Sequence, residues 1–571
     1  MDRTGGETWL GWPEVAGRAR AVAGSLRAFG IRKGDRVPLV FPTSVEFIDA
    51  FFGVLLAGAV PAPLYPPVHL GRLAEYRERT VVMVRAVDAR LVLADRRVQS
   101  VLGEVINRAR PPLGCISVSE LPMSAPADPA FISASDLALV QFSSGTTREP
   151  RPVALSHRAL VAQVSLLNRY WPDSERVRHS GVSWLPLYHD MGLIGSLLVA
   201  LDRPGTLTLI PPELFVKRPA IWLQAISKYR ATISPAPSFA YGFAASRIQD
   251  QEMDGVDLSS WRVALVGAEV VVPDVMRRFA RRFESWGFRP EALTPGYGLA
   301  EASLAVTLSD PTRLFVSRHF DSASLSERAT AVEVDGGAVR EAGACQAREL
   351  ASSGSPLPGF EVRVVDEDGR ELPEGGLGLI ECRGPSLMEG YLGQPEATAS
   401  CLRHGWLSTG DLGFFWKGEL FLAGRAKDVL IIRGRNYAPE EVEQALDAVA
   451  GARPGCAVAV GWLPEGEGSE CLLVIVEARR EVAAGAFADL SKACSERVLT
   501  VTGLRAERVV VVAPGTLPRT SSGKLRRQEA LRRYIAGELR PPRAVTPVNI
   551  ASAVVRSSLA RLRSRWWRLR P

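Results

Sequence analysis

The sequence predicts an α/β protein with two unequal parts. A large N-terminal part of several subdomains holds mostly parallel sheets, and a small mobile α/β domain follows it. Three observations lead there. At 571 residues the chain exceeds what one ordinary core accommodates, so two or more domains are expected. Apolar runs of strand length alternate with stretches of helical period through the N-terminal region. A second, shorter alternation begins after Arg425.

Taking the elements in order, Val15, Ala19, Val22, Leu26 and Phe29 recur at helical spacing and stop at Gly30. Val37–Phe41 reads as a strand, Glu46–Gly58 as a mostly buried helix, and Ala59–Tyr65 and Ala89–Ala94 as further extended segments. Val362–Leu372 reads as strand, turn, strand, with Gly378–Cys382 and Gly418–Arg425 as later strands. The small unit comprises a strand at Asp428–Ile432, a helix over Pro439–Val449, strands at Ala457–Val460 and Cys471–Glu477, then a helix and a strand at Arg508–Val512. Glu465–Glu470 reads as a surface loop. Domains are expected at 1–424, with an extra segment at about 317–353, and at 425–540, followed by a tail at 541–571.

Composition narrows the class. With 46% hydrophobic and 23% charged residues, there is material for several cores. The net charge of +7 is local: Arg540–Pro571 carries eight arginines and no acid, which leaves the body near −1 by subtraction. A body so close to neutral argues against general nucleic-acid binding. Seven cysteines without paired spacing point to reduced thiols and a cytoplasmic location. No stretch reaches the roughly 18 uninterrupted apolar residues of a membrane span.

The loop Gln141–Arg148 follows the strand-length run Leu137–Val140. In it Ser143, Ser144, Thr146 and Thr147 surround Gly145, so it offers backbone N–H groups, hydroxyl donors and one position without a Cβ. A polyanion needs these features to come close. No Gly-Lys-Ser/Thr follows, so it is not a Walker loop. A polar turn after a strand is the plainer alternative. Gly267-Ala268-Glu269 follows the strand Val263–Val266, where a flat purine could stack at the carboxyl end of an open sheet.

With Trp184–Gly195 (W-L-P-L-Y-H-D-M-G-L-I-G), Ser234–Tyr241, Thr294–Glu301, Ser408–Gly413, Gly424–Asp428 and Pro518–Arg526 in order, the chain resembles the acyl-adenylate-forming superfamily, most closely its fatty acyl-AMP ligases. The resemblance runs from about Thr8 to Arg540. It implies ATP-dependent conversion of a fatty acid to acyl-AMP with release of pyrophosphate, ATP and Mg²⁺ as cofactors, and an acyl carrier protein as acceptor. By the same resemblance the Ser143–Thr147 loop holds phosphates and Thr146 and Glu301 hold the metal. Tyr297, beside Gly298, covers the adenine, Asp411 takes the ribose hydroxyls, Arg425 reaches the ribose-phosphate region, and Lys427 is the hinge. Lys524 swings in to grip carboxylate and α-phosphate, with Glu301 and His189 also catalytic. Asp190, Gly192, Ile194, Phe239 and Tyr241 shape the acyl pocket; core packing is the competing reading for Phe239 and Tyr241.

Two departures and two alternatives stand beside this. Pro150-Arg151-Pro152 occupies the place where many superfamily members carry Pro-Lys-Gly, and Pro152 removes a glycine and an N–H. The segment between Leu314 and Gly354 resembles an insertion that braces the two domains, against a plain reading as a variable hairpin. An acyl-CoA synthetase differs only in the thiol acceptor, and a non-catalytic scaffold using the basic tail is the other class. In that tail Ile550, Val554, Val555, Leu559, Leu562, Trp566 and Trp567 are interleaved with arginines, as in a helix lying on anionic lipid or docking an acidic protein, with a disordered linker or simple surface helix as the alternative.

Overall fold

A computed structural model describes residues 1–67, 70–143, 150–172, 176–335, 347–432, 435–463, 470–520, 523–542 and Ser557. The Glu465–Glu470 loop, the core of the Ser143–Thr147 loop and the tail apart from Ser557 therefore fall largely outside the described residues.

The N-terminal alternation folds as a four-stranded parallel sheet, ordered Val60–Leu64, Arg36–Val40, Val92–Ala94, Cys115–Ile116. Its crossover helix Val45–Leu56 starts where the Ser44 hydroxyl accepts the Phe47 N–H, and it ends just before Gly58, whose φ is +82°. A side-chain cap and a left-handed glycine thus delimit a mostly apolar run.

A seven-stranded sheet forms the centre of the molecule. Leu293–Gly298, Val263–Val266, Ile233–Ala236, Gly181–Ser183 and Leu207–Leu209 run parallel, and Ala305–Leu308 and Ser355–Pro356 add antiparallel at one edge. Val263–Val266 is buried throughout, as a continuous apolar run covered on both faces should be. Functional segments leave the carboxyl ends of three of these strands: Trp184–Asp190, Gly267–Glu269 and Gly298–Glu301.

The third sheet, from Glu361 to Arg425, is antiparallel throughout. The expected second arm of the Val362–Leu372 hairpin is not a strand; only the bridge between Val365 and Glu371 forms. Asp366 is the reason, because its carboxylate accepts the N–H groups of Asp368 and Arg370 and holds the chain in a turn around Gly369, φ +80°. Pro373 then blocks extension of the ladder.

Residues from Leu430 onward bury apolar side chains of their own around Val442, Val458, Val474 and Ile475, on the sheet Ala452–Trp462, Cys471–Ala478, Arg508–Val512. The helix expected to Val449 ends at Leu446. The segment near 317–353 contributes the antiparallel pair Ser317–Asp321 and Ala347–Ala351. From that pair Arg348 reaches Glu441 at 3.1 Å and donates to the Ala423 carbonyl, so it touches chain on either side of Arg425. Among the described residues no helix is long and apolar enough to cross a membrane.

Candidate active site

His189 and Asp190 begin a short helix that passes into a π-helix at Leu193–Leu198, a geometry that recurs at functional sites. The His189 ring lies 2.7 Å from the Asp190 carboxylate. Burial works to raise the Asp190 carboxyl, but His189 and the charge of Lys524 outweigh it and hold the group below the usual carboxylate range.

Lys524 comes from the far end of the sequence, on a tight hairpin. The Thr520 N–H donates to the Lys524 carbonyl at 2.7 Å, the Lys524 N–H to the Thr520 hydroxyl at 3.0 Å, and the Arg526 N–H to the Pro518 carbonyl. Burial and the positive charge of Arg425 lower the Lys524 ammonium from its ordinary value; Asp190, Glu269 and Asp411 oppose them. Residues scattered over 335 positions of sequence thus act on one ammonium group.

Asp411 links two other expected participants. Its carboxylate accepts the Tyr297 hydroxyl at 2.8 Å and lies 3.1 Å from Arg425. Tyr297 is almost wholly buried, and burial together with the Asp411 charge keeps its phenol protonated. Gly298 has no alternative: a Cβ there would stand 1.7 Å from the Leu304 carbonyl oxygen. Gly267 lies under the Gly296 carbonyl, and Ala268 adopts φ +67°, an uncommon left-handed conformation for a residue with a side chain. The Glu269 carboxylate accepts the Phe239 N–H at 2.6 Å, and burial raises its affinity for a proton.

Glu301 is likewise raised by burial, and one of its oxygens accepts the Tyr391 hydroxyl at 2.9 Å. The face of Tyr391 in turn carries the Arg151 guanidinium at 4.9 Å. Arg151 is therefore tied to the Glu301 side of the cleft. Pro152 opens its strand, where a missing N–H is tolerated. A single hard carboxylate such as Glu301 suits Mg²⁺, which takes its remaining ligands from phosphate oxygens and water. No cluster of three metal-binding side chains occurs among the described residues.

The five residues expected around the acyl chain divide. Asp190 pairs with His189 and feels the charge of Lys524, as described. Phe239 is about half exposed and meets Trp184 edge-on. Ile194 is fully buried, and Gly192 is required by packing, since a Cβ would meet the Pro186 carbonyl oxygen at 2.3 Å. Tyr241 is fully buried against Trp222, Trp261 and Phe279, and its hydroxyl donates to the Leu265 carbonyl, the arrangement that its core-packing reading describes. Beneath the π-helix lies a cavity of about 400 Å³ lined by Gly181, Ser183, Gly195, Ser196 and Val199, with Arg203 at its rim.

Ser143 is described, its N–H donating to Arg151; Ser144, Gly145, Thr146 and Thr147 lie outside the described residues. Lys427 sits exposed on a single 3₁₀ turn, Ala426–Asp428. Sequence reasoning missed Tyr391. Its one signal is the preceding Gly390, whose φ of +141° and proximity to Thr398 demand a glycine.

Residues 2–392 match the family model described as AMP-binding enzyme. A protein of Caulobacter vibrioides named putative acyl-CoA synthetase is 37% identical, with 92% of this chain and 91% of that protein covered. The long-chain-fatty-acid–AMP ligase FadD26 of Mycobacterium marinum is 34% identical over 94% of this chain and 93% of its own. Among solved structures, one from a study of fatty acyl-adenylate ligases of E. coli and L. pneumophila superposes with a TM-score of 0.85, at 32% identity over 94% of both chains.

Proposed function

Because the chain belongs to the AMP-binding enzyme family, we propose that it is a fatty acyl-AMP ligase that passes the activated acyl group to an acyl carrier protein. The carboxylate of a fatty acid attacks the α-phosphorus of ATP. A bond forms between carboxylate oxygen and phosphorus, the bond from the α-phosphorus to the bridging oxygen breaks, and pyrophosphate leaves with that oxygen. Side chains supply position and charge rather than covalent chemistry.

The observation that carries this reading is the buried Lys524 ammonium, on which the charges of Arg425, Asp190, Glu269 and Asp411 act. On entry of ATP and acid, its ammonium exchanges protein carboxylates for the substrate carboxylate and α-phosphate, whose charges grow together as they approach. Asp411 accepts the ribose hydroxyls, Arg425 turns toward the phosphate, and the Ser143–Thr147 loop cradles the polyphosphate. Glu301, with Thr146, holds Mg²⁺; the metal ion when bound neutralises the departing pyrophosphate. His189 fixes Asp190 at the mouth of the acyl site, Phe239 forms its wall, and the 400 Å³ cavity takes the acyl tail. The chain divides at Gly424–Arg425, Lys427 serving as the pivot.

A Lys524→Ala protein is expected to lose at least a hundredfold in fatty-acid-dependent pyrophosphate release. Equal release by variant and wild type would remove the assigned role. The acyl-CoA synthetase reading rests on the Caulobacter relative's name. Under the proposed reading, thioester forms with a holo-carrier protein and not with free CoA.

A further inference from the structure

The small lobe that delivers Lys524 is held against the large one at a point no active-site residue touches. Arg72 precedes the helix Leu73–Ala86 of the N-terminal region. Its Nη2 donates to the Gly515 carbonyl at 2.7 Å and to the Thr516 carbonyl at 3.0 Å. Those two carbonyls belong to the loop leading into the Lys524 hairpin. The loop is rigid on its own side: Gly515 turns it at φ +82°, the Thr516 hydroxyl donates to Ala513, and the Leu517 N–H donates to the fully buried Glu477 carboxylate. One helical turn after Arg72, Glu75 lies 2.7 Å from Arg79 and 2.8 Å from Arg533. Arg533 stands on the helix Arg527–Ile535 that follows the hairpin, and there it also pairs with Glu529.

We infer that Arg72 and Glu75 form a clamp that sets the fraction of time the Lys524 hairpin is seated in the cleft, and that both are positioning residues for adenylation. The clamp grips the segments on both sides of the hairpin, at 515–516 and at 533, so it fixes orientation as well as proximity. Ordinary exposed ion pairs contribute little. This one differs: the Arg533 side chain is only 13% exposed, and Arg72 gives charged donors to backbone carbonyls that have no freedom to rotate away. A contact present only in the seated arrangement shifts the population toward it by the free energy of that contact. The inference rests on the role of Lys524 proposed above.

The test uses the full-length protein. Arg72→Ala is expected to lower kcat for pyrophosphate release about tenfold, with KM for ATP and for the fatty acid changed less than about twofold. The rate at which trinitrobenzenesulfonate labels Lys524, followed by peptide mass spectrometry without substrates, is expected to rise by a similar factor. Glu75→Gln should shift both readouts in the same direction by less, and Arg72→Lys should recover part of each. A purely structural role would lower the melting temperature without exposing Lys524. Wild-type kcat and labelling in both Arg72→Ala and Glu75→Gln would overturn the clamp, as would lost activity with unchanged labelling. Lys524→Ala serves as the control: if it releases pyrophosphate like wild type, the assignment of Lys524 fails, and the labelling comparison still decides whether Arg72 seats the hairpin.

Discussion

Replacing Arg527 by Met tests whether one guanidinium holds the small lobe together. Its Nε and Nη2 each lie 2.7 Å from Glu443, Nη2 is 2.9 Å from Glu440, and Nη1 is 3.0 Å from Asp428. The Asp428 side chain is fully buried and the other three are about 14% exposed or less. Asp428 Oδ1 and Glu440 Oε2 have no hydrogen-bond donor of their own, so Arg527 supplies most of their compensation. Methionine keeps the apolar stem and leaves three carboxylates facing one another. Removing one partner of a buried ion pair costs about 3–5 kcal/mol, against about 5–15 kcal/mol for a whole domain. The variant lobe should therefore be marginal at pH 7.5. Burial already pushes the Glu443 carboxyl up to about 6 even with Arg527 present. A carboxyl raised in the folded state binds its proton more tightly there than when unfolded. Folding is then weakened above the folded pKa and recovers as pH falls from about 6 toward 4.5. The assay is urea unfolding followed by hydrogen exchange in peptides covering 430–446 and 508–535. A loss below about 1 kcal/mol at pH 7.5, or a larger loss at pH 5, would refute the reasoning.

Two further outcomes follow from single contacts. Gly298→Ala drives a methyl into the Leu304 carbonyl, between Tyr297 and Glu301, and should cost about 2–3 kcal/mol in stability and at least tenfold in pyrophosphate release; an unchanged melting curve and rate would contradict the packing argument. Glu333 is held down to about 2 by hydrogen bonds from Lys417, Trp416 and Arg318. Its stabilisation is complete above pH 4.5 and disappears as pH falls through about 2, so Glu333→Gln should lose about 1 kcal/mol at pH 7 and converge on wild type in acid, whereas a difference constant with pH would sink the assignment.

The parts of the site legible in the sequence are those where a charged residue sits on a backbone that needs glycine. Gly410 before Asp411, Gly424 before Arg425 and Gly523 before Lys524 all have positive φ, so chemistry and punctuation coincide in a short word. Tyr391 follows a positive-φ glycine, Gly390, but carries no charge, and Arg72 and Arg527 have no positive-φ glycine before them. Their partners lie 90, 443 and 99 positions away, and no local period encodes a pairing made by lobes meeting. Tyr241 had two readings from sequence for a different reason. It is on a helix that begins at Ser238, and only the three-dimensional arrangement of Trp222, Trp261 and Phe279 decides that its ring faces inward while Phe239 faces out. The alternating strands were readable because parallel sheets require continuous apolar runs. The missing arm after Asp366 was not, because a side-chain turn competes with the ladder on nearly equal terms.

The charges of the cleft also explain why a metal ion belongs in the proposed reaction. Asp190, Glu269, Glu301 and Asp411 supply four carboxyl groups to a space shared with Lys524 and Arg425, with Arg151 on its Tyr391 side. ATP brings about four more negative charges, and stacking these beside ionised carboxylates at low dielectric would be prohibitive. Glu269 and Glu301 are the two carboxyls that burial raises, whereas Asp190 is held ionised by His189 and Lys524. In the proposed reading the Lys524 ammonium, which feels the charge of Asp190, turns to an incoming group that offers it a better anion. Glu301 has Tyr391 on one oxygen and would offer its carboxylate to a divalent cation arriving with the nucleotide. The nucleotide's charge would then enter partly compensated by the cation, and in the proposed reading Lys524 exchanges the field of Asp190 for the substrate carboxylate and α-phosphate as they come together. If Asp190→Asn left the pH dependence of adenylation unaltered, that exchange would not be occurring.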